Sequence, residues 1–362
     1  MEEHRDSWCS SIDAGVPLIK PPSKARMLSH LESIITDCFW ASLKTEEGRH
    51  HQFRVTYSPP DRSGEREIYI FDQPVPFDAA HLAKLAPAVE SIRTIGVWPQ
   101  GGGDKLTIWG FLPSYRHTVS LQLTAFAPGE IVLTDLSLKA AVTAEKAMFV
   151  DWIKSQTLAD LFGGPPGAGK LFRAAAISNI ALGIRSHRHG GTLLVTSRSS
   201  SSLETSIVNL HELSYYGEGR GTPPKNEGDA ATEDLAKRLE RSRERAEKAQ
   251  HLVAQLTAVD GATLITREGE ILGFGGTIVS SGMTGDSRVL VSAPFEDDEP
   301  ASPKRLADLN VGHRHKSAAK FVFDRKDALA IVASADGPLS VFWWDEKREM
   351  VSMIRQAEFL LF

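Results

Sequence analysis

The spacing of apolar residues divides the chain into helical and extended stretches. From residue 27 to about residue 43, apolar side chains recur at three- and four-residue intervals, which predicts a helix. The period changes to two around residues 53–57 and 68–70, which predicts strands. A second helix is predicted over residues 78–91. Alternation returns in four further segments, at residues 94–98, 106–109, 119–125 and 131–136. This pattern predicts an N-terminal α+β domain over residues 27–148.

The remainder of the chain alternates between helix and strand signals. Residues 140–161 are predicted to be rich in helix, and residues 171–185 form a second helical stretch. A long amphipathic helix begins at Thr232, with acidic residues in its first turn. A short helix is predicted over residues 317–323. Buried strands are predicted at residues 191–195, 262–265, 330–332 and 339–342. This order predicts an α/β domain over residues 149–362.

Two segments stand apart from these domains. Residues 1–26 contain Pro17, Pro21 and Pro22 and are predicted to be a flexible lead-in. A stretch rich in Ser, Gly and Pro, at about residues 197–230, predicts an irregular insertion within the second domain. The last predicted strand leaves Trp343 and Trp344 after its end, as core or interface residues.

Composition and charge narrow the class of protein. Of the 362 residues, 41% are hydrophobic and 24% are charged, as in soluble globular proteins. The net charge of −5 gives no overall basic field of the kind that attracts nucleic acid, so no nucleic-acid partner is expected. Cys9 and Cys38 form no disulfide framework, and the first residues lack a signal-peptide pattern, so we expect a cytoplasmic protein. No apolar run approaches the ~18–20 residues that a membrane span needs.

Two short motifs, 54 positions apart, carry the candidate chemistry. Asp260-Gly261-Ala262 follows a helix and opens a strand, where an acidic residue can hold a metal ion for phosphoryl chemistry. The second motif, Gly312-His313-Arg314-His315-Lys316-Ser317, leads into a short helix. Cations oppose the helix dipole at that end, so their presence suggests that an anion binds there. Taken alone, Asp260 would be an ordinary turn aspartate.

Together the two motifs resemble the signature of the diadenylate cyclase family. In that family an Asp-Gly-Ala motif is followed by a Gly-Thr-Arg-His-Arg-Ala-Ala-like motif. Gly312, Arg314, His315 and Ala318 match the second motif, whereas His313 replaces Thr or Ser and Lys316 replaces the second Arg. A third element, Ser-Glu-Glu-Gly-like in the family, reads Ser334-Ala335-Asp336-Gly337, so one acid is absent and Asp336 stands for the other. The N-terminal pattern resembles the sensor domain, called DACNV, that precedes some of these cyclases.

The resemblance implies a central mixed sheet flanked by helices and a reaction that joins two ATP molecules into cyclic di-AMP. Asp260 would hold Mg²⁺ or Mn²⁺, while Arg314, His315 and Lys316 would neutralise the phosphates. Gly261 and Ala262 would keep bulk away from the nucleotide. The remaining nucleotide-binding candidates are Gly312, His313, Ser317 and Asp336. Because the two ATP molecules react with each other, a homodimer or higher homo-oligomer is implied.

Two alternatives stay open at this point. The first is a degenerate sensor that binds ATP or a cyclic dinucleotide without turnover, because Lys316 cannot reproduce the bidentate fork of arginine. The second is a cyclase with another nucleotide preference, since no base-reading residue is evident.

Three further segments look like sites but favour plainer interpretations. Residues 164–170, Gly-Pro-Pro-Gly-Ala-Gly-Lys, fit the start of a phosphate-binding P-loop, but Leu171 follows where Ser or Thr is required. The preceding segment also reads as a helix rather than a strand. His187-Arg188-His189 is predicted to consist of surface residues at a turn, and His50-His51 to have no binding role.

Overall fold

The computed structural model describes most of the chain, which forms two compact units. The first unit runs to Trp152 and includes Phe295–Asp297, and the second covers Ile153–Pro294 and Asp298–Leu361. The described residues are 24–45, 48–60, 68–89, 93–100, 105–113, 121–135, 139–167, 169–187, 189–197, 206–212, 231–280, 282–295, 301–335 and 338–361.

Among its described residues, the first unit combines two α-helices with an eight-stranded sheet. Helix α1 spans Lys24–Leu43, and helix α2 spans Ala79–Leu85. The strands are β1 Phe53–Tyr57, β2 Tyr69–Pro76, β3 Arg93–Pro99, β4 Leu106–Pro113, β5 Leu121–Ala127, β6 Glu130–Thr134, β7 Lys139–Val142 and β8 Ala147–Phe149. The strand order is β2-β4-β3-β1-β5-β6-β7-β8. Since β1 pairs parallel with β3 and antiparallel with β5, this sheet is mixed.

Helix α1 covers the sheet with one apolar stripe. Ile34 and Cys38 are buried in a cluster with Val55 of β1, Ile95 of β3 and Leu123 of β5. The four-residue spacing of the first two is the helical period, and the three strand residues sit on neighbouring strands. The predicted α+β core is therefore confirmed.

The second predicted helix is shorter than its apolar period suggested. The side chain of Asp78 accepts hydrogen bonds from the backbone N–H groups of Ala80 and His81, both at 2.9 Å, and so caps α2. A 3₁₀ turn over Ala86–Ala88 follows and contains Pro87. Proline cannot donate a backbone hydrogen bond, so the α-helix ends before it.

The expected helix-rich stretch at residues 140–161 is wrong over its first twelve residues. Residues 139–142 and 147–149 are the strands β7 and β8, and helix begins only at Trp152. Alanine favours helices, but here Ala140 and Ala141 pair with Leu133 and Val132 of β6. Sheet pairing has overridden local propensity.

The second unit consists of a nine-stranded sheet and four described helices. The helices are α3 Trp152–Gly163, α4 Lys170–Ser186, α5 Ala231–Leu256 and α6 His313–Asp324. The strands are β9 Gly191–Thr196, β10 Ile207–Val208, β11 Ala262–Thr266, β12 Ile271–Ile278, β13 Arg288–Ser292, β14 Ser302–Arg305, β15 Leu329–Ala333, β16 Leu339–Asp345 and β17 Met350–Arg355. Their order is β10-β12-β11-β9-β15-β16-β17-β13-β14.

The centre of this sheet is covered on both faces. Every residue of β9, β11 and β15 is buried, which requires helices on the two sides. β9 pairs parallel with β11 and antiparallel with β15, so the sheet is mixed. The predicted α/β class with a mixed sheet flanked by helices is confirmed.

Several boundaries in this unit differ from the sequence-based expectations. Helix α6 begins at His313 rather than residue 317, so the cationic motif forms its first turn. Trp343 and Trp344 lie within β16 rather than after it, and β17 follows as a further strand. Strands β12, β13 and β14 were not predicted. Glycine-rich β12 and polar β14 lack the alternation that marks a strand.

A lysine is buried at the start of β7. Lys139 is only 6% exposed, and this burial lowers the pKa of its ammonium group to about 7. The unfolded chain holds this proton up to a pH of about 10.5, so folding at lower pH carries a cost.

Replacing this lysine by an apolar side chain of similar length is expected to remove a pH dependence of the stability. Between pH about 7 and about 10.5 the unfolded lysine holds a proton that the folded one does not, so the free energy of unfolding of the wild type should rise with pH, by up to about 1.4 kcal/mol per pH unit. Lys139→Met should lack this rise, because it has no proton to bind at this position. Urea denaturation of the full chain across this pH range measures the slope. The exposed Lys84→Met is the matched control, and equal effects of the two substitutions would contradict the prediction.

Candidate functional site

Asp260 occupies an unusual turn between α5 and β11. Gly261 has a φ of +105°, and a β-carbon there would lie 2.5 Å from the backbone carbonyl of Gly275 in β12. Only glycine fits this position. The turn leaves the Asp260 side chain fully exposed, at 102% of its reference area. Ala262 then enters β11 as a buried residue, opposite Gly276.

The first turn of α6 is open and carries no acidic residue. Gly312 precedes it in an extended conformation and supplies no capping side chain. A β-carbon at Gly312 would meet no atom within 4 Å. The N–H groups of the first turn therefore lack a side-chain cap and face accessible space, which suits an anion. His313 is exposed in the same turn, and Lys316 and Ser317 are half-buried.

The fold brings the two motifs into contact. Nη2 of Arg314 lies 3.3 Å from Oδ1 of Asp260, and Nη1 of Arg314 donates to the backbone carbonyl of His189 at 3.5 Å. The side chain of Arg314 is 40% exposed. An ion pair this exposed contributes little to stability, so a phosphate can displace it at low cost.

The turn before β9 packs directly against this arginine. Gly190 has a φ of +68°, and a β-carbon there would lie 2.6 Å from Nη1 of Arg314 and 3.0 Å from the backbone nitrogen of Ala335. Sequence reasoning treated His187-Arg188-His189 as surface residues without a role. The adjacent pair Gly190-Gly191 was the signal that a close backbone approach occurs here.

A histidine pair stiffens the same turn. Nε2 of His187 is 3.1 Å from Oγ1 of Thr257, and the backbone N–H of His189 donates to Nδ1 of His187 at 3.2 Å. The two imidazoles are stacked, with ring centroids 5.8 Å apart. Burial, reinforced by the neighbouring His189, lowers the pKa of His187. Arg188 lies outside the described residues.

His315 differs in character from its neighbours in the motif. It is only 6% exposed and packs edge-on against Phe342. Burial and the positive charge of Arg355 lower its pKa to about 4, so the ring is neutral at physiological pH. Its Nδ1 atom is buried and has no hydrogen-bond partner among the described residues. The expectation that His315 helps to neutralise phosphate charge is therefore not met.

The inward position of His315 follows from the helical period. His315, Ala318, Ala319 and Val322 are spaced by three, four and seven residues and share the buried face of α6. Starting the predicted helix at residue 317 concealed this relation. Asp336 lies outside the described residues, so its assignment stays a prediction.

The side chains near Asp260 determine which kind of metal site could form there. Within the described part of the chain, no group of three or more His, Cys, Asp or Glu residues could hold a metal by itself. Mg²⁺ commonly binds through one or two carboxylates together with substrate phosphates and water. A single exposed aspartate beside an anion site fits that shared mode, and it does not fit a closed structural site.

The P-loop-like segment is a connection between helices, as predicted. Helix α3 precedes it and α4 begins at Lys170, whose Nζ is 2.7 Å from Oδ1 of Asp160. Nε of Arg173 donates to the backbone carbonyl of Gly163 at 2.8 Å. These contacts close a helical hairpin, and no strand leads into the loop as a P-loop requires.

Comparison with known proteins finds a family match in the N-terminal region. Residues 20–113 match the family model described as "Probable sensor domain DACNV", which confirms the resemblance predicted for this part of the chain. No curated protein matches the chain.

Among solved structures, a hypothetical membrane spanning protein from Bacillus cereus is similar over 52% of this chain and 70% of its own. The identity is 14% and the TM-score is 0.28, which is too low to bear on fold or function. Among the residues described, no helix of this chain is long and apolar enough to cross a membrane.

The neutral state of His315 leads to a pH-dependent stability. As the pH falls from about 6.5 to about 4, His315 binds a proton in the unfolded chain but not in the folded one. The free energy of unfolding should therefore decrease over this range. His315→Gln should remove this part of the slope, up to about 1.4 kcal/mol per pH unit. Urea denaturation across this range measures it. His251→Gln, at an exposed position of α5, serves as the control, and equal slopes for wild type and His315→Gln would contradict the assignment.

Proposed function

We propose that the second unit condenses two ATP molecules into cyclic di-AMP and that the N-terminal sensor domain controls this activity. The observation that carries the proposal is the contact between Asp260 and Arg314. Two motifs separated by 54 residues meet with an exposed carboxylate and a guanidinium 3.3 Å apart, at the open N-terminus of α6. This is an arrangement for a polyanion that reacts beside a carboxylate.

In the reaction, one phosphorus–oxygen bond forms and another breaks at the α-phosphate of each of the two nucleotides. Each ribose 3′-hydroxyl attacks the α-phosphate of the other nucleotide, the bond from that phosphorus to the β-phosphate bridge breaks, and pyrophosphate leaves. The hydroxyl proton is released to solvent or to the leaving group. Two ATP molecules thereby give one cyclic di-AMP and two pyrophosphates.

The cationic side of the site would bind the phosphates. Arg314 can present two N–H groups to phosphate oxygens, and Lys316 adds a point charge from the same turn. The uncapped N–H groups after Gly312 contribute the positive end of the helix dipole. His313 and Ser317 stand in this turn as further hydrogen-bonding groups. His315, being neutral and buried, would fix the orientation of the turn rather than supply charge.

The acidic side of the site would bind the reacting end of the nucleotide. Asp260 would hold Mg²⁺ or Mn²⁺, which when bound neutralises phosphate charge and lowers the pKa of a coordinated hydroxyl. The glycine at position 261 keeps this edge free of side-chain bulk. Asp336 is a further candidate contact from the sequence.

A homodimer follows from the chemistry. One chain offers one Asp260–Arg314 pair, whereas the reaction needs two nucleotides whose hydroxyls face each other's α-phosphates. Two chains that present their sites to each other would supply this geometry, with one ATP in each.

A sensor that binds ATP or a cyclic dinucleotide without turnover is the second candidate. It is favoured by Lys316, which lacks the bidentate fork of arginine, and by Ala335. The backbone nitrogen of Ala335 borders the same space beside Gly190 as Arg314 does, so an acid at this position would lie next to the site. A cyclase with another base preference is a variant of the main proposal.

Removing the carboxylate charge of Asp260 should abolish product formation. With purified protein, ATP and Mn²⁺ or Mg²⁺, mass spectrometry should detect cyclic di-AMP from wild type and none from Asp260→Asn, which should remain folded because the side chain is exposed. Two controls should retain activity. They are Asp286→Asn, an exposed aspartate elsewhere in the unit, and Lys170→Ala, in the P-loop-like segment. Turnover by Asp260→Asn would refute the role of this residue.

Restoring the residues that the family carries discriminates between the two candidates. If the site is degenerate, Lys316→Arg combined with Ala335→Glu should raise the rate by roughly 10²–10³, the value of one transition-state contact. If the present residues are tolerated variants of an active site, the rate should stay within a few-fold of wild type. ATP-dependent thermal stabilisation without any product, in wild type and double variant alike, would favour the sensor.

A further inference from the structure

The segment 206–212 lies along the outer side of β12, within the insertion that precedes α5. Ile207 and Val208 of β10 pair with Ile278 and Thr277 of β12. Further along, His211 and Phe274 exchange two backbone hydrogen bonds, of 2.9 and 3.1 Å. The backbone of His211 is thereby fixed to the sheet at a defined register.

Three glycines of β12 accommodate this segment. A β-carbon at Gly273 would lie 2.5 Å from Cγ of Leu210, and one at Gly276 would lie 2.6 Å from Cγ2 of Ile207. Gly275 has a φ of +70°, a conformation that side chains disfavour. Each glycine removes a side chain where the segment approaches the strand, which explains why β12 is so rich in glycine.

Gly275 brings His211 close to Asp260. The position of a β-carbon at Gly275 is 3.0 Å from Cδ2 and 3.7 Å from Nε2 of His211, and 3.6 Å from the backbone oxygen of Asp260. The backbone of Gly275 is also the surface against which Gly261 packs. An imidazole therefore stands beside the same turn that presents the Asp260 carboxylate.

The imidazole forms an aromatic pair with Phe274. The ring centroids are 5.4 Å apart and the planes are inclined by 41°. His211 is exposed, whereas Phe274 is half-buried, so the phenyl ring supports the imidazole from the protein side. An exposed ring with an anchored backbone loses little freedom when another flat ring packs on it.

We propose that His211, supported by Phe274, is the surface on which the purine base of the bound nucleotide stacks. This inference rests on the proposed function, and it adds the part of the site that contacts the base. A nucleotide has a polyanionic end and an aromatic end joined through the ribose. Arg314 and the first turn of α6 suit the phosphates, while the aromatic pair beside Asp260 suits the base. Stacking of this kind is tolerant of base identity, because every base offers a π-face.

The test separates the base from the phosphates with two probes, ATP and inorganic triphosphate, each titrated against the full chain by calorimetry. His211→Ala should weaken ATP binding by roughly 10- to 100-fold and leave triphosphate binding within about twofold. His211→Phe should bind ATP like wild type, and His211→Gln should resemble His211→Ala. Arg314→Ala should weaken binding of both probes. His251→Ala, an exposed histidine of α5, should change neither.

A second measurement guards against effects on folding. Because His211 is held by backbone hydrogen bonds, the thermal midpoint of each His211 variant should match that of wild type. Phe274→Leu keeps apolar volume and removes the supporting ring, and it should weaken ATP binding in the same direction as His211→Ala. In turnover, loss of stacking should raise KM for ATP and leave kcat nearly unchanged, since base binding is uniform along the reaction.

The outcomes distinguish this inference from the proposed function. If wild type binds ATP and His211→Ala binds it equally well, the stacking surface is wrong and the cyclase proposal stands. If His211→Gln binds ATP like wild type and His211→Phe binds it as weakly as His211→Ala, the histidine acts by hydrogen bonding and stacking is refuted. If wild type binds neither ATP nor triphosphate, both proposals fail together.

Discussion

The contact between the backbones of Gly261 and Gly275 sets the geometry of the candidate site. A single methyl group at Gly261 would overlap the carbonyl of Gly275, so the chain can enter β11 here only with glycine. This close approach fixes where Asp260 stands, and the same glycine of β12 borders His211. The parts contributed by α5, β11 and the insertion thus depend on two residues that have no side chains.

Electrostatics then explains why α6 has such an unfavourable sequence at its start. Four basic or imidazole residues follow Gly312, and no acid offsets the helix dipole. Burial removes part of the repulsion between these residues and the helix dipole, because it leaves His315 without a charge. Contact with Asp260 resolves another part for Arg314. The positive charge that remains is local and exposed, which matters in a chain whose net charge is −5.

Sequence reasoning predicted the elements whose apolar period is regular, and it failed where tertiary contacts decide. The buried strands β9, β11 and β15 are rich in apolar and β-branched residues and were found. β12 was missed because its glycines are set by contacts with Leu210 and Ile207, which no local pattern reveals. The pairing of Ala140 and Ala141 with β6 is likewise invisible in a helix-favouring stretch. Motif order sufficed to associate Asp260 with Arg314, but the burial of His315 required the true start of α6.

The hydrogen bond between His187 and Thr257 has a mechanical consequence. It ties the end of α4 to the end of α5 immediately before the chain turns into β9 and β11. The helices also approach closely along their length, with a β-carbon at Gly183 only 2.8 Å from that of Ala254. The His189 carbonyl and the Asp260 carboxylate therefore both follow the ends of this tied helix pair, and the arginine that bridges them belongs to another helix. The distance between the two halves of the site is set by how α6 packs against that helix pair.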